Sequence, residues 1–392
     1  MDTSLLTWGL GVSLMLNLLL IVLVLRLTMR NRTLNEQIEE LDHALTVEAA
    51  VAGHAKPPNE RLVALVLNVT KPDSDDVARM VHSTCSRAGM PSPLLLPTSE
   101  EDAGHAMTEE ALEAGADVVI AAGGDGTIRA VAATLSRAAQ SAGAGKEGAE
   151  RRRGEAAVRE AALGVVPLGT GNLFARNIGL PLTDLQACVD DAIHGMSHRV
   201  DTVELVLERP DGTRERDFSL VIAGGGLDAE VMNDTREILK QRAGWLAYGE
   251  AGLRHVMGRR RAVTLSLDDG EPESFRVRSV LMANCGSLQA GMLLVPSAKF
   301  DDGRMDAVLF TPRHAWDWAK IVTKTITRFS ADIPVMTVRQ ARRSRVTMAE
   351  PLPFQIDGDP VGEVRSVEAT VRPGSLVVHG VNTRVLETSA PA

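Results

Sequence analysis

A carboxylate stands inside a glycine turn in the segment VVIAAGGDGTIRAVAATL, residues 118–135. The turn, 123–127, follows an apolar run and precedes a helix-like pattern. Glycines let the backbone approach a phosphate, and the amino end of the following helix favours negative charge. Asp125 fits such a site if a divalent cation lies between its carboxylate and the phosphates, or if it orients a hydroxyl group for attack. Taken alone, the turn is about equally compatible with an aspartate that only caps the helix.

A second glycine-rich turn lies in PLGTGNLFARNIGLP, residues 167–181. It also follows an apolar run, and it supplies small residues, a hydroxyl group and an amide. In a parallel sheet, ligands bind beyond the carboxyl ends of the strands, where the following loops deliver backbone N–H groups. Two such loops predict a phosphate-binding pocket.

The elements that would position these turns alternate along the chain. Apolar runs at 61–68, 93–96, 117–123 and 162–169 predict strands, and helical patterns cover 74–89, about 100–114 and 127 to about 139. This alternation predicts a parallel sheet with helices packed on it. Beyond about Val200, strands that flank Asp-Gly turns predict a second, mostly antiparallel domain. The segment 140–160, rich in glycine, alanine and charge, is predicted to be an exposed insertion.

The composition excludes several classes of protein. With 392 residues the chain has room for two or more domains. Its three cysteines are too widely spaced for a disulfide framework or a zinc site and are predicted to be core thiols in a reducing compartment. The net charge of −9 argues against general nucleic-acid binding.

The amino terminus predicts a membrane anchor. Leu5 to Leu25 carries no charge, and a helix of that length, about 30 Å, would cross a bilayer. Arg26, Arg30 and Arg32 follow it, which favours a single-pass protein of the cell membrane with its catalytic body in the cytoplasm. A charged helical stalk is expected to complete the segment 1–58, and a homodimer through this stalk is left open.

Six segments, taken in order, resemble the diacylglycerol kinase catalytic domain family, which includes bacterial lipid kinases and sphingosine kinases. The resemblance as a whole covers about Arg61 to Leu386, nearly the whole body of the chain. The segments are GGDGT (123–127), PLGTGNLFARNIGLP (167–181), GGGLDAEV (224–231), MANCGS (282–287), KFDDGRMD (299–306) and QIDGD (355–359).

The resemblance implies a fold and an activity. The fold is α/β: a three-layer ATP-binding domain at 59–199, rejoined by about 372–388, and a β-sandwich domain for the lipid substrate at 200–371. The activity is transfer of the γ-phosphate of ATP, with Mg²⁺, to a hydroxyl group of a membrane lipid. Diacylglycerol, which would give phosphatidic acid, is the acceptor that the breadth of the family favours.

The resemblance also implies roles for individual residues. Asp359 takes the position of the proton acceptor, where the family usually has glutamate, and Asp357 orients that base or contacts substrate. Asp125, with a magnesium ion, holds the nucleotide phosphates. Asp302, with the backbone carbonyls of Lys299 and Arg304, would form a structural magnesium site. The residues expected to contact nucleotide are Gly123, Gly124, Asp125, Gly126, Thr127, Gly169, Thr170, Asn172, Asn68 and Thr98.

Other interpretations stay open at this point. Asp357-Gly358-Asp359 is also typical of a simple hairpin turn. Kinases of NAD carry a Gly-Gly-Asp-Gly loop as well, and a catalytically weak membrane-bound module that binds nucleotide or lipid is the third alternative.

Overall fold

The computed structural model describes residues 57–143, 161–226, 260–288, 293–314 and 333–382, together with 316, 317, 320, 321, 323, 325 and 385. The predicted anchor and stalk (1–58) lie almost wholly outside these residues. Residues 144–160 of the predicted insertion also lie outside them.

The first half of the described chain is an α/β unit built on four parallel strands. Their order is β2-β1-β3-β4, and the residues of β1, β3 and β4 are all buried, as in strands covered on both faces. Helices α1 and α5 pack against each other, and so do α2 and α3. After a 3-10 turn at Pro58–Glu60, the elements are β1 (Val63–Leu67), α1 (Ser74–Arg87), β2 (Leu94–Pro97), α2 (His105–Glu113), β3 (Val118–Gly123), α3 (Asp125–Gly143), β4 (Ala162–Pro167), α4 (Leu173–Asn177) and α5 (Leu185–His194).

The second half is a β-sandwich of antiparallel strands, which confirms the predicted change of architecture. Its core is a separate apolar cluster that includes Leu205, Met282, Val346 and Phe354. The strands are β5 (Ser197–Glu208), β6 (Arg214–Ser219), β7 (Ile222–Gly226), β8 (Arg261–Leu267), β9 (Glu273–Val277), β10 (Ser279–Ala283), β11 (Met305–Phe310), β12 (Met336–Ala341), β13 (Arg343–Ile356) and β14 (Asp359–His379).

Strand β14 belongs to both halves. It pairs with β13 from Asp359 onward, runs antiparallel to β5, and meets β4 in parallel where Val378 pairs with Leu163. The ladder with β5 is interrupted between Arg372 and Leu376. The domain boundaries at 59–199, 200–371 and 372–388 stay predictions.

Two helices differ in extent from the sequence-based prediction. Helix α2 begins at His105 rather than near residue 100, because the Asp102 carboxylate accepts hydrogen bonds from the N–H groups of Gly104, His105 and Ala106 at 2.6–2.8 Å. Helix α3 begins at Asp125 and extends to Gly143, so the first residues of the predicted insertion are helical.

The described residues contain no helix that is both long enough and apolar enough to cross a bilayer. The predicted single-pass localisation in the cell membrane therefore has no support in the described structure and is withdrawn. Leu5 to Leu25, from which that prediction came, lies outside the described residues.

The prediction of core thiols is confirmed. Cys85, Cys188 and Cys285 are all buried and free. Burial raises the pKa of Cys188 to about 11, which keeps this thiol protonated at neutral pH.

Helix α5 lies so close to β4 that Gly164 has no room for a side chain. A Cβ atom there would lie 2.7 Å from Cβ of Ala192. We expect Gly164→Ala to lower the free energy of unfolding by about 1–3 kcal/mol through overpacking. Combining it with Ala192→Gly should recover part of that loss, whereas Ala192→Gly alone should cost about 1 kcal/mol. Denaturant unfolding of the three variants measures this coupling, and additive losses would contradict it.

Candidate active site

The two glycine turns lie side by side at the carboxyl edge of the parallel strands. Strands β3 and β4 are neighbours, with Gly123 opposite Pro167 at their ends. The pairing continues into the second turn, where the N–H of Leu168 donates to the carbonyl of Gly123 at 2.7 Å. The geometry therefore brings together the two segments that the sequence predicted to form one pocket.

The backbones of the two turns touch. A Cβ atom on Gly169 would lie 2.9 Å from Cα of Gly124, so a side chain there would push the turns apart. Asn172 fixes the second turn: its Nδ2 donates to the Gly169 carbonyl at 2.8 Å, and its Oδ1 accepts from the Gly169 N–H at 3.0 Å. Asn172 is buried and left-handed, with φ of 49°, a conformation that asparagine tolerates. Its side chain thus shapes the loop.

Asp125 joins the first turn to the second. Its Oδ1 accepts a hydrogen bond of 2.6 Å from the N–H of Leu173, the first residue of α4. Burial, with the charges of Asp357 and Asp359, raises the pKa of Asp125 to about 6, although its backbone hydrogen bonds act in the opposite direction. A bound cation would stabilise the ionised form of such a carboxylate, so Asp125 is well suited to hold one.

Asp357 lies at the centre of a network of hydrogen bonds. Its carboxylate accepts from the Ser219 hydroxyl and from the N–H groups of Leu220, Val221 and Ile222, at 2.7–2.9 Å. Burial raises the pKa of Asp357, and these hydrogen bonds act against the rise. The side chain therefore anchors the β13–β14 turn to the turn between β6 and β7.

Asp359 is the first residue of β14, and it faces the first glycine turn. A Cβ atom on Gly126 would lie 2.9 Å from its Oδ2, so only glycine leaves the carboxylate in this position. The side chain is 31% exposed, unlike the enclosed Asp357. The structure thus brings the predicted base to the predicted phosphate loop.

Arg129 and Asp217 join this cluster although the sequence analysis did not single them out. Arg129 Nη1 donates to Asp217 Oδ2 at 2.6 Å, and Nη2 lies 3.5 Å from Asp359 Oδ2. Burial tends to lower the pKa of Arg129, but the carboxylates of Asp217, Asp357 and Asp359 raise it above the usual value. The spacing of four residues from Asp125, one helical turn, is the signal that could have identified Arg129.

The remaining predicted nucleotide contacts lie at the ends of strands. Asn68 and Thr98 follow β1 and β2, and the Asn68 Oδ1 accepts from the N–H and hydroxyl of Thr70 at 3.1 and 2.7 Å. In the glycine turns, Thr127 is buried and Thr170 is exposed. Their contacts with nucleotide stay predictions.

The predicted structural magnesium site lies in the loop before β11. Asp302 Oδ1 accepts from the Arg304 N–H at 2.9 Å, and burial raises the pKa of Asp302. A carboxylate with the carbonyls of Lys299 and Arg304 offers the oxygen ligands that Mg²⁺ prefers. Across the described residues, no group of three or more His, Cys, Asp or Glu side chains is arranged to hold a metal ion. The site stays a prediction that depends on main-chain oxygens.

A buried asparagine links the α/β half to the sandwich beside the site. Asn177, at the end of α4, donates through Nδ2 to the Ser287 carbonyl at 2.9 Å and accepts from the Ser287 N–H at 3.0 Å. Ser287 lies in the loop after β10, within the MANCGS segment. This reciprocal pair fixes the second glycine turn relative to the sandwich.

In the absence of ligand, the ionised carboxylate of Asp125 is expected to lower the free energy of unfolding. Below about pH 4 its carboxyl group is protonated in folded and unfolded chains alike. Between pH 4 and 6 only the unfolded chain ionises, so the folded state loses stability as pH rises, and above about pH 6 the cost is full. We therefore expect Asp125→Asn to unfold at a higher temperature than the parent at pH 7.5 without metal or nucleotide.

The gain should be on the order of 1–2 kcal/mol after allowance for solvent screening, and it should vanish near pH 4. Thermal unfolding at pH 4, 5, 6 and 7.5 measures it. Asp184→Asn is a control, because Asp184 caps α5 through the Ala187 N–H and is not part of the cluster of Asp125, Asp357 and Asp359; asparagine caps a helix about as well, so no comparable gain is expected. An Asp125→Asn variant that is less stable at every pH would contradict this account.

Comparisons with known proteins agree with this geometry. Residues 63–205 match the diacylglycerol kinase catalytic domain, and residues 221–380 match the YegS C-terminal NAD kinase beta sandwich-like domain. A probable lipid kinase YegS-like of Xanthomonas oryzae pv. oryzae is 30% identical over 304 residues, 76% of this chain and 89% of that protein. The diacylglycerol kinase of Bacillus subtilis is 26% identical over 273 residues, 70% of this chain and 80% of that one.

The fold is also similar to that of a solved structure. A putative diacylglycerol kinase from Bacillus anthracis superposes with a TM-score of 0.62 at 20% identity, covering 85% of this chain and 98% of that one. The α/β half and the β-sandwich thus recur together in a protein of distant sequence.

Proposed function

Because the chain belongs to the diacylglycerol kinase catalytic domain family and is an ATP-using lipid kinase, we propose that it phosphorylates the primary hydroxyl group of diacylglycerol. The observation that carries the proposal is the close position of Asp359 against the first glycine turn. The Asp359 carboxylate occupies the space that a side chain at residue 126 would need. A proton acceptor and a phosphate loop are thereby within reach of one reacting group.

The glycine turns are proposed to bind the phosphates of ATP. Their backbones are in contact at Gly124 and Gly169, and helix α3 begins at Asp125, so N–H groups and the positive end of the helix point toward one anion site. A magnesium ion, when bound, would neutralise charge on the phosphates. Asp125 is the residue best suited to hold this ion, because burial and the charges of Asp357 and Asp359 make its ionised form unfavourable when no cation is bound.

Asp359 is proposed to accept the proton of the lipid hydroxyl group. As that O–H bond breaks, the oxygen forms a bond to the γ-phosphorus, and the bond from the γ-phosphorus to the bridging oxygen of ADP breaks. The proton ends on Asp359, and ADP leaves with the electron pair of the broken bond. Aspartate is shorter than glutamate by one C–C bond, about 1.5 Å, so the close position of β14 against Gly126 matters for its reach.

Asp357 is proposed to position the base. All its hydrogen bonds go to the Ser219–Ile222 turn, and its side chain is buried, which favours an anchoring role over contact with substrate. By anchoring the β13–β14 turn, Asp357 would fix the start of β14 and therefore the position of Asp359.

The choice of diacylglycerol rests on the relatives. Those of Bacillus subtilis and Staphylococcus saprophyticus are named diacylglycerol kinases, whereas others are named only as probable lipid kinases. We expect the purified full chain, in detergent micelles with labelled ATP and Mg²⁺, to phosphorylate diacylglycerol faster than a sphingoid base, monoacylglycerol or phosphatidylglycerol. NAD is the control acceptor. Phosphorylation of NAD alone, or of no acceptor, would overturn the proposal, and preference for another lipid alcohol would correct its substrate.

Asp359→Asn tests the base. Removing a general base costs roughly 10²- to 10⁴-fold in rate, so kcat should fall by about that factor while the KM for ATP changes little. Asp359→Glu keeps a carboxylate and should retain measurable activity. Asp125→Asn is the contrast, because its defect should depend on Mg²⁺ concentration. Asp359 is not the base if Asp359→Asn matches the parent rate or regains it at high Mg²⁺.

A further inference from the structure

We infer that Arg129 is a positioning residue for the phosphoryl transfer: its guanidinium holds the Asp359 carboxylate against the Gly126 turn, with Asp217 fixing the guanidinium from the other side. This inference rests on the proposed role of Asp359 as the base. Arg129 and Asp217 would together position that base.

The first support is geometric. Arg129 lies on α3 one turn after Asp125, and its two terminal nitrogens reach carboxylates on two different strands. Nη1 donates to Asp217 on β6 at 2.6 Å, whereas Nη2 lies 3.5 Å from Oδ2 of Asp359 on β14. The oxygen that Arg129 approaches is the same one that a side chain at Gly126 would displace.

The second support is electrostatic. The carboxylates of Asp217, Asp357 and Asp359 all favour the charged guanidinium of Arg129. This cation, 3.5 Å from Asp359, in turn attracts the Asp359 carboxylate and opposes its turning toward solvent. Arg129 is the guanidinium that the structure places there, and it is only 15% exposed, so solvent screens it weakly.

The third support is an unmet hydrogen bond. Within the described residues, Nε of Arg129 is buried and has no partner. Leaving a buried donor unpaired is unfavourable, so the contacts of the two terminal nitrogens must offset this cost. These nitrogens lie against Asp217 and Asp359. The orientation of the guanidinium is therefore set by the two carboxylates.

A double-mutant cycle separates positioning from general support of the fold. Arg129→Gln removes the charge and leaves a shorter polar side chain, and we expect kcat to fall about 10- to 100-fold with the KM for ATP changed less than about twofold. In the Asp359→Asn background the same substitution should cost less than about threefold, because there is no carboxylate left to hold. Asp217→Asn should give a smaller loss of kcat, since Nη2 still reaches Asp359.

Two controls accompany the cycle. Arg129→Lys keeps the charge and should recover part of kcat. Arg372→Gln removes another arginine–carboxylate pair, in which Arg372 Nε donates to Glu204 at 2.7 Å between β14 and β5, and it should leave kcat near the parent value. Thermal unfolding of every variant shows that the compared proteins are folded at the assay temperature.

The outcomes distinguish the two proposals. An equal loss from Arg129→Gln in both backgrounds would overturn the inference and leave Asp359 as the base. A rise in the KM for ATP with kcat unchanged would also overturn it, because Arg129 would then be a phosphate ligand. An Asp359→Asn variant as active as the parent would overturn the proposed function itself.

Discussion

The arrangement depends on the repulsion among three carboxylates that meet where the α/β half joins the sandwich. Asp357 tolerates burial because four donors of the Ser219–Ile222 turn surround it. Asp125 tolerates it less well, and its raised pKa of about 6 records the unfavourable free energy of the ionised form. Asp359 stays partly in solvent and faces the guanidinium of Arg129. The same acidic side chain thus occurs in three environments, which match the three roles proposed for it: anchor, cation holder and base.

The two glycine turns show why small residues are needed at specific positions. Gly126 leaves space for a carboxylate, Gly169 leaves space for the backbone of Gly124, and Gly164, in the strand below, leaves space for α5. Each glycine allows a close approach between elements that are far apart in sequence. The pocket is therefore a product of packing across the sheet edge as well as of turn conformation.

Much of this could be predicted from local patterns. The turns at 123–127 and 167–181 follow apolar runs, and parallel pairing puts the ends of such runs on one edge, so their meeting followed from sequence. The pair of Arg129 with Asp217 could not be predicted, because the partners are 88 residues apart and β6 carries no motif. The same holds for Asn177 with Ser287 and for the donors around Asp357, where partners more than 100 residues apart meet only after the sandwich has folded. The prediction of a membrane localisation was wrong. It rested on the hydropathy of a single apolar run, and hydropathy by itself does not determine where a protein is located.

The shared strand β14 has a mechanical consequence. It begins with Asp359, the proposed base, and pairs with β4 at Val378, so one strand connects this carboxylate to the sheet that carries the glycine turns. An intact ladder resists bending, and the break between Arg372 and Leu376, where Gly374 has φ of 55°, is one point at which β14 can bend. Asp359 lies at the opposite end of β14, so a small change of backbone direction at this interruption would displace it from the glycine turns by an amount that grows with the length of the strand. The contact of Arg129 with Asp359 opposes such a displacement.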